Sequence, residues 1–159
     1  MDCVAGYIGF LIDRGFIVEN CVTYENKDDG FETSVGGGYR FEGCTAYNNE
    51  VHGFDVAGRA ILNECNAYRN GGNGFDLSFA CISEKSKASR NGFCIFDNDC
   101  ENQPNLTTAS GLSSYGNGIR VGGGFIIRNC TVNDNERVGI RSTNSDNHIV
   151  NNSCKPIPM

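Results

Sequence analysis

Glu32, Asp55 and Asp76 hold one position of a recurring phrase, two residues after a glycine in Gly30-Phe31-Glu32, Gly53-Phe54-Asp55 and Gly74-Phe75-Asp76. Asp28 and Asp29 stand just before the first copy, so 28–32 carries three carboxylates in a short stretch. Oxygen donors at that density suit calcium, a hard cation that takes about 6 to 8 of them. The candidate metal ligands are therefore Asp28, Asp29, Glu32 and Asp55. The same residues also read as a solvated acidic face balanced by Lys27, Arg40 and Arg59. His52 precedes Gly53, and a histidine held by a carboxylate can act as a general base near neutral pH. It also reads as an exposed turn residue without a role.

The elements that must position these groups follow from internal repetition. Gly-Phe or Gly-Ile steps fall at Gly9, Gly30, Gly53, Gly74, Gly92, Gly118 and Gly139. A second phrase recurs between them, in Cys21–Asn26, Cys44–Asn49, Cys65–Asn70, Ser86–Asn91, Leu112–Asn117 and Cys130–Asn135. Each copy holds three short runs of alternating polarity separated by Gly and Asn turns, and a period near 21 residues built this way is one coil of a parallel β-solenoid. Leucine-rich repeats would show leucine at several positions per copy, and a propeller blade needs about twice the length. The expected fold is all-β: a single-stranded, right-handed parallel β-helix of about seven coils with three short strands per coil, forming one domain over 1–159. The 21 glycines among 159 residues, with 20 asparagines beside them, exclude a helical bundle.

Equivalent residues of successive coils stack about 4.8 Å apart, so each repeat position becomes a column. Phe10, Phe31, Phe54, Phe75, Phe93, Ile119 and Ile140 form an inward apolar column. Cys21, Cys44, Cys65 and Cys130 form another, in which Ser86 and Leu112 substitute, so the thiols read as small core fillers. Asn26, Asn49, Asn70, Asn91, Asn117 and Asn135 form a turn ladder of structural use. Outward tyrosines Tyr24, Tyr47, Tyr68 and Tyr115 read as a packing ladder, a subunit contact or a platform for sugar rings. The outward column Leu11, Glu32, Asp55, Asp76, Cys94, Arg120, Arg141 sets three carboxylates in succession, which repel by roughly 1 kcal/mol per pair even in water. Asp97 to Glu101 reads as a polar loop or a second calcium loop.

The phrases Cys21 to Glu32 and His52 to Gly58 resemble coils of parallel β-helix polysaccharide enzymes, most closely the family-nine pectate lyases and more distantly the mannuronan epimerases. In those lyases an Asp-Asp-Gly-aromatic-Asp phrase helps bind the catalytic calcium, and it maps here onto Asp28, Asp29 and Glu32. The resemblance implies an acidic polysaccharide, a polyuronate, bound or processed through calcium at an outer acidic cluster. Asp55 and Asp76 stand where the lyases carry a catalytic lysine, so catalysis here would rest on His52, Asp55 and Arg59, with Tyr24, Tyr47, Tyr68, Asp76 and Arg40 meeting the sugar. The rival reading is a non-catalytic structural or adhesive β-solenoid in an oligomer, virion or surface assembly.

The formal charge of -6 and pI near 4.8 argue against nucleic acid. No apolar run is long enough to cross a membrane, and the first residues lack signal-peptide features. Nine cysteines without zinc spacing favour an intracellular or anaerobic setting if they stay reduced. Neither end shows a capping helix, so the sequence predicts a partner at the ends, such as a second copy, or a longer parent chain.

Overall fold

The structure is a computed structural model that describes residues 2–4, 6–92, 117–135 and 138–155. Within them the chain is an all-β, right-handed parallel solenoid, three strands per coil, as its period predicts. A tyrosine sheet stacks Asp2–Val4, Val22–Tyr24, Thr45–Tyr47, Asn66–Tyr68, Lys87–Ser89, Thr131–Asn133 and Ser153–Lys155. A phenylalanine sheet stacks Phe10–Ile12, Phe31–Thr33, Phe54–Val56, Phe75–Phe79, Ile119–Gly123 and Ile140–Ser142. An isoleucine sheet stacks Ile17–Glu19, Tyr39–Glu42, Ala60–Asn63, Ile82–Glu84, Ile126–Arg128 and His148–Val150. Among the described residues every strand pairing is parallel and joins equivalent residues of successive coils.

The strands alternate because successive side chains point to opposite faces. Phe31 and Thr33 are buried while Glu32 between them is half-buried, and Phe54-Asp55-Val56 repeats the pattern. The phenylalanine column nests as expected. Rings of Phe10, Phe31, Phe54 and Phe75 stack at centroid separations of 5.3, 4.7 and 4.9 Å. Phe41 meets Phe31 and Phe54 edge-on. The thiol column is inward too: Cys44, Cys65 and Cys130 are buried and Cys21 is half-buried.

Corners of the coil are set by backbone conformation. Glu25, Asn48, Arg69, Arg90 and Asp134 all take the left-handed region at the same corner, with φ of 57, 53, 54, 54 and 51°. A residue with a Cβ pays roughly 1–2 kcal/mol for it. The asparagine that follows each one offsets this cost. Asn26 donates to Asn49 at 2.8 Å, Asn49 to Asn70 at 2.9 Å, Asn70 to Asn91 at 3.0 Å and Asn91 to Asn135 at 2.9 Å, each through Nδ2 to Oδ1. The same Oδ1 atoms also accept the preceding asparagine's backbone N–H, satisfying donors buried at the corner.

Two expectations are corrected. Asn117 does not belong to this ladder, because Asn91 passes to Asn135, 44 residues on. In all three sheets the described coil ending near Asn91 is followed by the one entered at Asn117: Phe75 pairs with Ile119, Ile82 with Ile126 and Lys87 with Thr131. The phrase at Leu112–Asn117 therefore supplies no separate rung to the described sheets, which are seven, six and six strands deep rather than evenly seven. Phe93, Cys94, Ile95, Leu112, Tyr115 and 97–101 lie outside the described residues.

Candidate functional site

The site grows from the residue that precedes each repeat glycine. Asp29, His52, Asn73 and Asn117 form a second polar ladder along the axis, distinct from the corner asparagines. His52 N–H donates to Asp29 Oδ1 at 2.7 Å, Asn73 N–H to His52 Nδ1 at 2.8 Å, and Asn117 N–H to Asn73 Oδ1 at 3.0 Å. Each rung thus accepts the backbone N–H of the next coil, so an acceptor is what the position demands. The glycine that follows lets the coils close. A Cβ on Gly53 would come within 2.7 Å of the Gly74 carbonyl oxygen and 2.8 Å of Asn70 Nδ2.

Two residues after each glycine, the outward column reads Leu11, Glu32, Asp55, Asp76, Arg120, Arg141. Arg120, not Cys94, follows Asp76. Its guanidinium Nη1 lies 2.7 Å from Asp76 Oδ1, while Asn73 Nδ2 donates to Asp76 Oδ2 at 2.9 Å. His52 Nε2 stands 3.7 Å from that same Oδ2. The charge that offsets the carboxylate column is therefore Arg120, rather than the Lys27, Arg40 and Arg59 set. Arg40 lies on the isoleucine sheet, bonded to Glu42 at 2.7 Å, and Arg59 is exposed in the turn after Asp55.

Burial governs the proton affinities. Asp29, 5% exposed, is pushed up to about 8 by desolvation, against the pull of the His52 N–H; Asp55, Asp28 and Glu32 add repulsion. Asp55 is raised to about 6 by burial, then by the Asp76 and Glu32 charges, with Arg120 opposing. His52, also 5% exposed, is lowered to about 4 by burial, against Asp76. It is thus a neutral imidazole whose Nδ1 accepts a backbone hydrogen bond, which assigns its proton to Nε2, toward Asp76. The exposed-turn expectation for His52 is corrected, because the next coil covers it.

Of the sequence candidates, the structure brings together Asp28, Asp29, Glu32, His52, Asp55 and Asp76. It leaves Arg40, Arg59 and the tyrosines elsewhere. Tyr24, Tyr47 and Tyr68 stack on the tyrosine sheet with centroids 5.0 Å apart and planes within 6 and 2° of parallel. Tyr47 is stacked on both faces, Tyr24 and Tyr68 on one face each. Among the described residues no group of three or more His, Cys, Asp or Glu is gathered closely enough to hold a metal ion. Arg120 is the functional residue that sequence reasoning misplaced. The available signal was the interval between repeat glycines, 18 before Gly92 and 26 after it against 21 to 23 elsewhere.

Comparison with known proteins found no match among curated proteins and none among solved structures. A family-level comparison matches residues 2–85 to the right handed beta helix region. That match spans more than half of the chain, and together with the parallel solenoid it places the protein in the right handed beta helix region family.

Proposed function

We propose that the outer face of the phenylalanine sheet engages an acidic polysaccharide, laid along the column from Glu32 to Arg141. The observation that carries this reading is the order of charges on that column: Glu32 and Asp55, then the Asp76–Arg120 pair, then Arg141. A polyuronate presents a carboxylate on each sugar. Arginines meet such groups directly, with planar paired hydrogen bonds, whereas Glu32, Asp55 and Asp28 repel them unless a cation lies between. Calcium fits that bridging role, because a hard ion can take some oxygens from the protein and the rest from the substrate. No three of the described carboxylates are gathered closely enough to hold the ion by themselves, so Asp28 and Glu32 would supply the protein's share and the substrate the rest. Asp29 is a poorer ligand, since burial keeps it protonated below about 8 and its Oδ1 accepts the His52 N–H.

If the module is catalytic, Asp55 is the residue suited to exchange a proton with the sugar, as its proton affinity near 6 matches work close to neutrality. His52 then acts as a positioning residue, with its Nε2 proton turned to Asp76. The second reading, a purely structural solenoid, is supported by the tyrosine ladder, whose stacked rings tie successive coils together.

Affinity electrophoresis in gels containing polygalacturonate or alginate, with calcium or with a chelator, separates the two. Retardation in calcium that is lost with chelator, and is weakened at least tenfold by Asp55→Asn and by Arg141→Ala, supports the polysaccharide reading. Unchanged mobility in every gel sinks it. Ultraviolet absorbance of an unsaturated uronate product then distinguishes eliminative cleavage from binding.

A further inference from the structure

The isoleucine sheet has an outward face that neither the core nor the acidic column uses. Two columns of side chains lie on it. The first runs Ile17, Arg40, Ile61, Ile82, Ile126, His148, and the second Glu19, Glu42, Asn63, Glu84, Arg128, Val150, both in strand register. Phe41, Leu62, Ser83 and Ile127, which lie between the two columns, are buried. Ile17, Ile61 and Ile126 are 64, 45 and 36% exposed, and Ile82 is half-buried between its neighbours. Large aliphatic side chains repeated at the spacing of adjacent strands form a patch, and a patch marks a contact surface where scattered exposed residues do not.

We infer that this face binds a second copy of the chain, laid antiparallel across a two-fold axis that passes between the Ile61 and Ile82 strands. The order of side chains selects that occupant. A two-fold axis along the strands sets each column against itself in reverse order. Ile61 then meets Ile82 of the second copy, and Ile82 meets Ile61 of the second copy, so the centre of the contact is apolar on both sides. In the other column Glu42 meets Arg128 of the second copy, and the reciprocal pair forms at the opposite end. Within one chain Glu42 already holds Arg40 at 2.7 Å, and Arg128 holds Glu84 at 2.8 Å. The contact thus joins Arg40, Glu42, Arg128 and Glu84 into a row of alternating sign, once at each end of the interface.

Other placements of the second copy fit less well. Sliding it by one coil sets Glu84 either against Glu84 of the second copy or against Glu42 of the second copy. Turning it parallel sets the first column against the second, which presses Ile82 onto a glutamate and Ile126 onto an arginine. The antiparallel contact also leaves the charged column of the phenylalanine sheet uncovered, so it stands apart from the proposed polysaccharide face.

Sedimentation equilibrium of the full chain tests the inference. The expected mass is twice the 17.2 kDa of one chain. Ile61→Asp should give a monomer with unchanged β circular dichroism. Glu42→Arg and Arg128→Glu should each weaken self-association by at least about tenfold, since each turns both ionic contacts into like-charge ones. An equimolar mixture of those two variants should associate again, because every contact between unlike chains then joins opposite charges. A wild-type chain that stays monomeric up to about 100 µM leaves the face to a different partner and overturns the inference. So does a dimer that Ile61→Asp does not disturb, and so does a mixture of the charge variants that fails to associate. The wild-type mass needs no variant to fold.

Discussion

Asp29 is the residue whose environment most opposes its chemistry. A carboxyl raised from 3.8 to about 8 in the folded chain binds its proton more tightly there than in the unfolded chain. The favourable difference is fully present below about pH 4 and is lost as pH rises toward 8, because the unfolded chain ionises first. Asp29→Asn keeps an oxygen for the His52 N–H and copies the asparagines at 73 and 117. We expect it to match the parent in urea unfolding at pH 3 and to exceed it by on the order of a few kcal/mol at pH 8. Equal stabilities at both pH values contradict the assigned burial. Arg120 works in the opposite sense. Arg120→Leu leaves Asp76 without its guanidinium beside Asp55, at an expected cost of about 2 kcal/mol at neutral pH. That cost should shrink below about pH 6, where Asp55 takes up its proton and no longer repels Asp76, which chemical denaturation at pH 7 and pH 3 measures.

At the scale of one corner, two columns balance each other: a strained left-handed residue and the asparagine that follows it. Asn70 receives the Asn49 N–H and Nδ2, and donates Nδ2 to Asn91 Oδ1 and the Ala46 carbonyl. Asn70→Ala orphans buried groups on both sides, and we expect a loss of about 3 kcal/mol or more by urea denaturation. Arg69, one residue earlier, sits at φ 54°. Arg69→Gly removes strain of about 1–2 kcal/mol and returns roughly half through unfolded-state entropy. A net gain of about 0.5 to 1 kcal/mol is expected, and a loss in the same assay indicates that the Arg69 side chain matters more than its backbone.

For the whole molecule, the informative fact is which coil follows which. Gly71 and Gly72 separate Asn70 of the corner ladder from Asn73 of the inner one. The equivalent step from Asn91 to Asn117 contains the long intervening stretch, yet both asparagines keep their rungs. A chain in which a single glycine replaces residues 93–116 recreates the Asn-Gly-Gly-Asn corner. Both flanking asparagines already hold their rungs, so this chain should unfold at least as high in temperature as the parent, with the same β circular dichroism. A molten or unfolded product shows that the stretch supports the coils.

Much of this is legible in the sequence alone. The period near 21, the phenylalanine and cysteine columns and the asparagine ladder all follow from phrases whose apolar and polar positions alternate, because the pleat sends adjacent side chains to opposite faces. The convergence of Asp29, His52, Glu32, Asp55 and Asp76 follows too, since stacking in register makes equal repeat positions neighbours. What the phrases could not determine is the pairing across the interval between Ser89 and Asn117, because register is read from even glycine intervals and those on either side of Gly92, 18 and 26, break the period. Strand pairing alone decided that Arg120 meets Asp76 and that Asn117 rests on Asn73. Burial, likewise a property of neighbouring coils rather than of letters, decided that His52 is a neutral hydrogen-bond acceptor and that Asp29 holds its proton.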